Sequence, residues 1–450
     1  MRFCRTPQAA DALSSRRMLD RRTGISSDID EAPRDEPARA ALRYTMLAPF
    51  GVRSFRFQWP ADLLTSWAFE METIILGWYV LVETGSVLWL TAFGAMQYLG
   101  TLIAPLYGVV GDRLGHKSLL LGMRAAYAVC ASTLLLFALS GSISPVVVVI
   151  VTAFMGLVRP SDLGVRGALI AETMPSNTLI SALSLSRTTQ DSARVAGALV
   201  GASIFTLFGM APAYVIITSL YIVGALLMLG DTAPVRHVEL AMTPEEAAGK
   251  SSWQDLKEGL AHTWNTPVLL ALVSLAFLTN LSAFPLTNGL MPYAAKNVYG
   301  LDQTGLGLMV ASFAIGSLAG SIILSNLGAA TRLTRVMMVS TVIWYILLLG
   351  FAQVPARFYG IPYLIVAGIM QSFSMVSLQI NLLQMAGEKF RGRVMGVRMM
   401  AIYSLPLGLL AAGPLIDWVG YRAMASLYAL VGLVFTSLIA WRWRADLWRT

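Results

Sequence analysis

Charge is scarce in this sequence. Only 13% of its 450 residues are Asp, Glu, Lys or Arg, against about 25% in soluble domains. By length alone the chain is long enough for two or three soluble domains, but so little charge argues against a water-covered surface. Cysteine is nearly absent: Cys4 lies in a polar stretch and Cys130 in an apolar run, so no disulfide is expected. The three histidines, His116, His237 and His262, fall in predicted loops or a loop helix and form no metal-ligand spacing. No metal and no cofactor are therefore expected. A Gly-x-x-x-x-Gly-Lys-Ser/Thr loop is missing, which removes ATP as a direct energy source. No nucleophile–base pattern marks an enzyme. The first 45 residues have no apolar segment of the kind a cleavable signal peptide needs; they are polar and Arg-rich and read as a disordered tail.

Apolar runs dominate what is present. Hydrophobic residues make up 56% of the chain, in blocks such as Val146–Leu157, Val215–Leu229 and Met337–Phe351 separated by short charged turns. A spanning helix needs roughly 20 mostly apolar residues. In hydrocarbon every backbone donor and acceptor must pair within the segment, so such runs must be helical. The reading is an all-α integral membrane protein with about twelve spans. They are placed at 57–82, 87–110, 118–140, 144–170, 182–209, 212–230, 266–294, 303–326, 334–352, 360–384, 394–414 and 421–441. The predicted organisation is a tail over 1–52, a first bundle of six helices over 53–230, a polar loop with one amphipathic helix over 231–265, a second bundle over 266–441, and a short tail over 442–450.

The net charge of +8 does not point to nucleic acid, because no basic face with interleaved stacking aromatics accompanies it. The basic residues instead sit between apolar runs. With a cytosolic N-terminus, only Lys296, Arg357 and Arg422 of the 33 Lys and Arg residues fall away from the cytosolic side. That asymmetry is an orientation signal, and it puts both termini in the cytosol.

After the second span comes Gly108-Val-Val-Gly-Asp112-Arg113-Leu-Gly115-His116-Lys117. Its glycines permit a tight turn and close helix approach. Asp112 can cap the third helix, and Arg113 can pair with an acid at the cytosolic end of the fourth span, Asp162 or Glu172. The segment resembles the signature between helices two and three of the major facilitator superfamily, with His116 in place of the usual basic residue. Further stretches resemble that superfamily's enterobactin-exporter and macrolide-efflux branch: Phe55-Arg56, Trp59, Gly77-Trp78, Thr84-Gly85-Ser86, Asp255–Pro267, Gln384, Arg391-Gly-Arg-Val394, Pro406-Leu-Gly408 and Gly413. The resemblance implies two six-helix bundles around a central cavity, a monomer in a bacterial inner membrane, and export of a small-molecule substrate against protons. Uptake and facilitated diffusion stay open as alternatives on the same fold, and a non-transporting sensor is a further one. Ala198 stands where the antiporter glycine motif of helix five usually has proline.

Charges inside spans are costly and mark function or pairing. The first span holds Asp62, Glu70 and Glu72. Glu70 and Glu72 lie about 200° apart on the helix, with Asp62 about 80° from each, so both glutamates cannot face one cavity squarely. These acids are candidates for proton coupling or substrate contact, and the alternative is a structural acid bonded to a neighbouring helix. Arg187, Asp191 and Arg194 share one stripe of the fifth span and read as an internal ion-pair ladder or an anion site. Asn280 and Asn288 of the seventh span and Gln371, Gln379 and Asn381 of the tenth either line the cavity or join helices.

Overall fold

A computed structural model describes residues 47–103, 107, 110, 111, 114–230, 252–326, 332–354 and 357–447. The predicted tail up to residue 46 and most of the predicted central loop lie outside them. The helices are α1 (Arg53–Thr84), α2 (Val87–Met96, prolonged by a 3-10 turn at Leu99–Ile103), α3 (His116–Leu139), α4 (Pro145–Thr173), α5 (Ser176–Phe208) and α6 (Met210–Leu229). A linker helix, Ser252–Asn265, precedes α7 (Pro267–Ser282), α8 (Gln303–Asn326), α9 (Leu333–Gln353), α10 (Arg357–Met385), α11 (Gly387–Ala401) and α12 (Ser404–Arg442). Among the described residues there is no strand.

Local sequence sets the ends. Gly85, in the left-handed region at φ 62°, closes α1 by donating to Leu81 O; a residue without Cβ takes that conformation without strain. Ser144 caps α4, its hydroxyl accepting from Val147 N, and Pro145 follows at the first helical position, where its missing N–H costs nothing. Gly209 at φ 80° turns the chain from α5 into α6.

Nine helical segments among the described residues are long and apolar enough to cross a membrane. One of them, Gly392–Arg442, is 51 residues long, enough for two crossings of a hydrocarbon core about 30 Å thick. Gly420, non-helical at φ 81° and ψ 161°, divides it. The first two predicted spans are not among the nine: α1 carries Asp62, Glu70, Glu72 and Glu83, and α2 breaks after Met96. Counting these two and the divided segment gives about twelve crossings, in an all-α integral membrane fold. Large apolar side chains such as Leu136, Leu207, Leu226, Phe154 and Trp418 are exposed, which suits lipid rather than water.

Lipid tails are as apolar as leucine, so close packing rather than transfer from water holds such helices together. Small residues supply it. A Cβ on Gly201 would lie 2.9 Å from Met71 Cα, so α5 rests on the backbone of α1. A Cβ on Gly320 would lie 2.8 Å from Ile369 O, which locks α8 on α10. One buried cluster, with Met71, Ile75, Tyr127, Val148 and Tyr214, fills the first six helices; another, with Leu269, Leu272, Met337 and Leu378, fills part of the last six. A third joins the two sets through Ile74, Ala198, Ala202, Leu290, Met291 and Trp344. The two sets touch along α2, where Ala95 and Tyr98 pack with Leu405 and Leu409, and at the end of the molecule that carries Gly85. There a Cβ on Gly77 would touch Pro292 at 3.4 Å, one on Gly307 would meet Ala202 at 2.6 Å, and Thr304 donates to Thr206 at 3.3 Å.

Candidate functional site: charged groups within the first six helices

Asp62, Glu70 and Glu72 of α1 have three different environments. Glu72 is buried. Its Oε1 accepts from Tyr214 at 3.3 Å and its Oε2 from Tyr221 at 3.0 Å. The two tyrosines are seven residues apart on α6, two helical turns, and so project from one face. Glu72 also lines a recess with Thr73, Phe93, Gln97, Thr152 and Arg159. Arg159 comes from the middle of α4 and donates to Gln97 Oε1 at 2.7 Å and Thr73 Oγ1 at 2.8 Å, with its guanidinium over the Phe69 ring. Gly156 makes this geometry available: any Cβ there would run into Met96 O, so α2 and α4 approach backbone to backbone and bring Gln97 to Arg159.

Asp62 belongs to a different arrangement. Arg124, fully buried on α3, donates to Asp62 Oδ1, to Ala61 O at 2.6 Å and to Thr65 Oγ1 at 2.6 Å. Arg166 Nε lies 3.4 Å from the same Asp62 oxygen, and Arg166 also donates to Asp162 at 2.5 Å and to Ser66 at 3.1 Å. Two carboxylates and two guanidiniums thus form one buried set across α1, α3 and α4. Burying four charges is tolerable only when each finds a partner of opposite sign.

Glu70 lies on the far side of α1 and pairs with Arg194 of α5 at 3.7 Å. On the same helix Arg187 and Asp191 are 4.0 Å apart, with Arg187 exposed. The predicted stripe is therefore shared: one of its arginines pairs along α5 and the other crosses to α1.

The chemical difference between the acids follows from their partners. A guanidinium donates and never accepts, whereas a tyrosine hydroxyl does either. Asp62 is held by donors only. Glu72 is held by two hydroxyls that can rotate, so its carboxyl finds a partner whether it carries a proton or not.

Of the predicted gating segment, Gly108, Asp112 and Arg113 lie outside the described residues. Gly115, at φ 83°, opens α3, and Lys117 lies in the first turn of that helix. The two acids proposed for Arg113 have other partners here: Asp162 takes Arg166, and Glu172 meets His116 Nδ1 at 2.5 Å. In the last six helices Asn280 donates to Ala276 O at 2.8 Å, one turn back on its own helix, while Asn288 and Gln379 are exposed. Gln371 accepts from Ser317 at 3.1 Å and Asn381 from Thr334 at 3.2 Å, each joining two helices. The structure thus does not bring these five residues to the α1 acids.

In the sequence, Arg124, Arg159 and Arg166 look like the orientation signals among which they are counted. Arg159 is the clearest case, because it stands 14 residues into a 29-residue helix, near mid-membrane rather than at a boundary. Its depth in the apolar run was the available signal. The tyrosines of α6 carried none, since aromatic residues are common in spans.

The family model described as Major Facilitator Superfamily matches residues 59–302 and 273–447. Over 380 residues the chain is 27% identical to the multidrug efflux pump Tap of Mycolicibacterium fortuitum, covering 80% of this chain and 88% of that one. It is 32% identical over 197 residues to the multidrug efflux pump Tap of Mycobacterium tuberculosis (strain ATCC 25618 / H37Rv), covering 42% of this chain and 44% of the relative. A solved POT family transporter in complex with 5-aminolevulinic acid matches with a TM-score of 0.66 at 12% identity, over 88% of this chain and 97% of that one. At that identity the likeness concerns the fold alone.

Proposed function

The chain belongs to the Major Facilitator Superfamily, and from that premise we propose that it exports a small, partly apolar molecule across a bacterial inner membrane in exchange for protons. The observation that carries the coupling is Glu72, a buried acid whose two hydroxyl partners accommodate both of its protonation states. Arg159 lines the same recess and is opposite in charge to the ionised acid. Likeness to multidrug efflux pumps supports the outward direction. With both termini cytosolic, the packed end at Gly85 faces outward, and alternating access proceeds by loosening that end while the other closes. Gly108, Asp112, Arg113, Gly115 and Lys117 serve the inward closure. Asn288 and Gln379 present polar groups to the substrate, and the protein works as a monomer in the bilayer.

Everted membrane vesicles with an imposed proton gradient test this reading. A panel of amphiphilic drugs, siderophores and small metabolites is added, and accumulation is recorded beside collapse of the gradient. At least one compound is expected to accumulate only when the gradient and the protein are both present. Glu72→Gln, at equal protein level, is expected to lower that accumulation at least tenfold. Accumulation that ignores the gradient, or survives unchanged in Glu72→Gln, overturns the coupling.

A further inference from the structure

Between the Glu72 cluster and the Asp62 cluster stands Tyr127 of α3. It is buried, its ring centroid is 5.7 Å from that of Tyr221, and it stands one turn along α3 from Arg124, which holds Asp62. Its hydroxyl has no hydrogen-bond partner among the described residues. The same holds for the hydroxyls of Thr218 and Thr152 and for Asp162 Oδ1. Thr218 sits on α6 between Tyr214 and Tyr221, at the spacing that places all three on one stripe. Thr152 lines the recess with Glu72. Buried polar groups that lack a protein partner are satisfied by ordered water, which typically makes about three hydrogen bonds in such places. By their neighbours these four atoms form a series: Thr152 in the Glu72 recess, Thr218 between the tyrosines that hold Glu72, Tyr127 beside Tyr221, and Asp162 in the Asp62 cluster. All of them lie on the first six helices.

We propose that Tyr127 passes protons between Glu72 and the Asp62–Asp162 cluster through ordered water inside the first six helices, so that proton and substrate travel by separate routes. The proposal rests on the reading of Glu72 as the coupling acid. In each transfer Glu72 releases a proton to a water, and Tyr127 accepts one proton while donating its own to the next water. Asp162 Oδ1 receives the last. Tyr127 ends with the hydrogen count it began with, and no group is oxidised or reduced. The charged groups facing the series balance: Arg124, Arg159 and Arg166 stand against Asp62, Asp162 and ionised Glu72, with the neutral hydroxyls of Tyr214 and Tyr221 completing it.

Two measurements on the purified full chain test the route without a known substrate. Microsecond X-ray hydroxyl-radical footprinting reads water beside buried side chains. Tyr127 is expected to be labelled at least tenfold faster than Tyr345, which is equally buried but has its hydroxyl bonded to Ser282 at 2.8 Å. In the second, a pH step is followed by infrared absorbance of the carboxyl band that Glu72→Gln removes. Tyr127→Phe is expected to slow the appearance of that band at least tenfold and leave its final amplitude unchanged. Thr218→Val, expected to slow it in the same direction, serves should Tyr127→Phe not fold. Equal labelling of the two tyrosines, or an unchanged rate in the folded variant, overturns the separate route while leaving Glu72 as the coupling acid. If Glu72→Gln removes no pH-dependent band, the coupling reading fails and the route falls with it.

Discussion

Replacing Arg124 by methionine tests whether the Asp62 cluster is a paired set of buried charges. Methionine roughly fills the aliphatic volume and removes the guanidinium. Asp62 then keeps only Arg166, at 3.4 Å, and the hydroxyl of Thr65 and the carbonyl of Ala61 each lose a charged donor. Removing one partner of a buried pair costs about 3–5 kcal/mol. The surviving Arg166 places Arg124→Met near the lower end, about 3 kcal/mol, a factor of more than about 100 in the unfolding equilibrium. Asp62→Asn in the same background removes the stranded charge. The double variant is therefore expected to be more stable than the sum of the two single changes by about 1–3 kcal/mol. Equilibrium unfolding in mixed detergent and dodecyl sulfate micelles, read by tryptophan fluorescence, measures all three. A loss under about 1 kcal/mol for Arg124→Met, or strict additivity in the cycle, would refute the pairing.

Three further outcomes follow from the packing. Gly201→Val places a branched side chain against the α1 backbone at Met71 and is expected to destabilise the protein by about 1–3 kcal/mol, measured by the same unfolding assay. Gly307→Leu forces α8 away from Ala198 and Ala202 of α5; spin labels at the Gly209 end of α5 and the Gln303 end of α8 should report a longer distance distribution, and an unchanged one counts against that contact. Glu258→Ala removes a 2.6 Å pair with Arg393 in which the glutamate is 45% exposed. Its cost is expected to stay under about 1 kcal/mol, and a larger loss would mean that the linker helix depends on that pair.

Most of the fold could be read from hydropathy because the bilayer admits so few backbone solutions. The span boundaries predicted for α3, α4, α6, α8 and α9 differ from the observed helices by a few residues. The spans predicted at 394–414 and 421–441 leave a gap between them, and the backbone there stays helical except at Gly420. The site was less legible. The acids of α1 stood out because carboxyls are costly in hydrocarbon, and helical angles separated Glu70 from Glu72. Their partners did not stand out: Tyr221 is 149 residues from Glu72 and Arg124 is 62 from Asp62. No periodicity connects positions so far apart. The positive-inside pattern also worked against recognition, since an arginine buried in the bundle and one at the membrane surface look alike in a count. In α10, Gln371 and Asn381 bind neighbouring helices, a use of neutral polar residues that sequence alone does not distinguish from cavity lining.

The end of the seventh span has a mechanical property of its own. After α7 the backbone makes two wide π turns, Pro285–Gly289 and Ala294–Val298, in which Leu290 N bonds to Pro285 O and Tyr299 N to Ala294 O, each at 3.0 Å. Each wide turn houses one surplus residue relative to an α-helix. Winding a surplus residue back into the regular ladder screws the next segment about 100° around its axis and about 1.5 Å along it. The segment between the two turns, Met291–Tyr293, carries Pro292, which meets α1 at Gly77, and Tyr293, which stacks on Tyr421 at 5.7 Å. A single change of pitch would swing both contacts off their seats together. The span has thread to spare at the place where the two sets of helices touch.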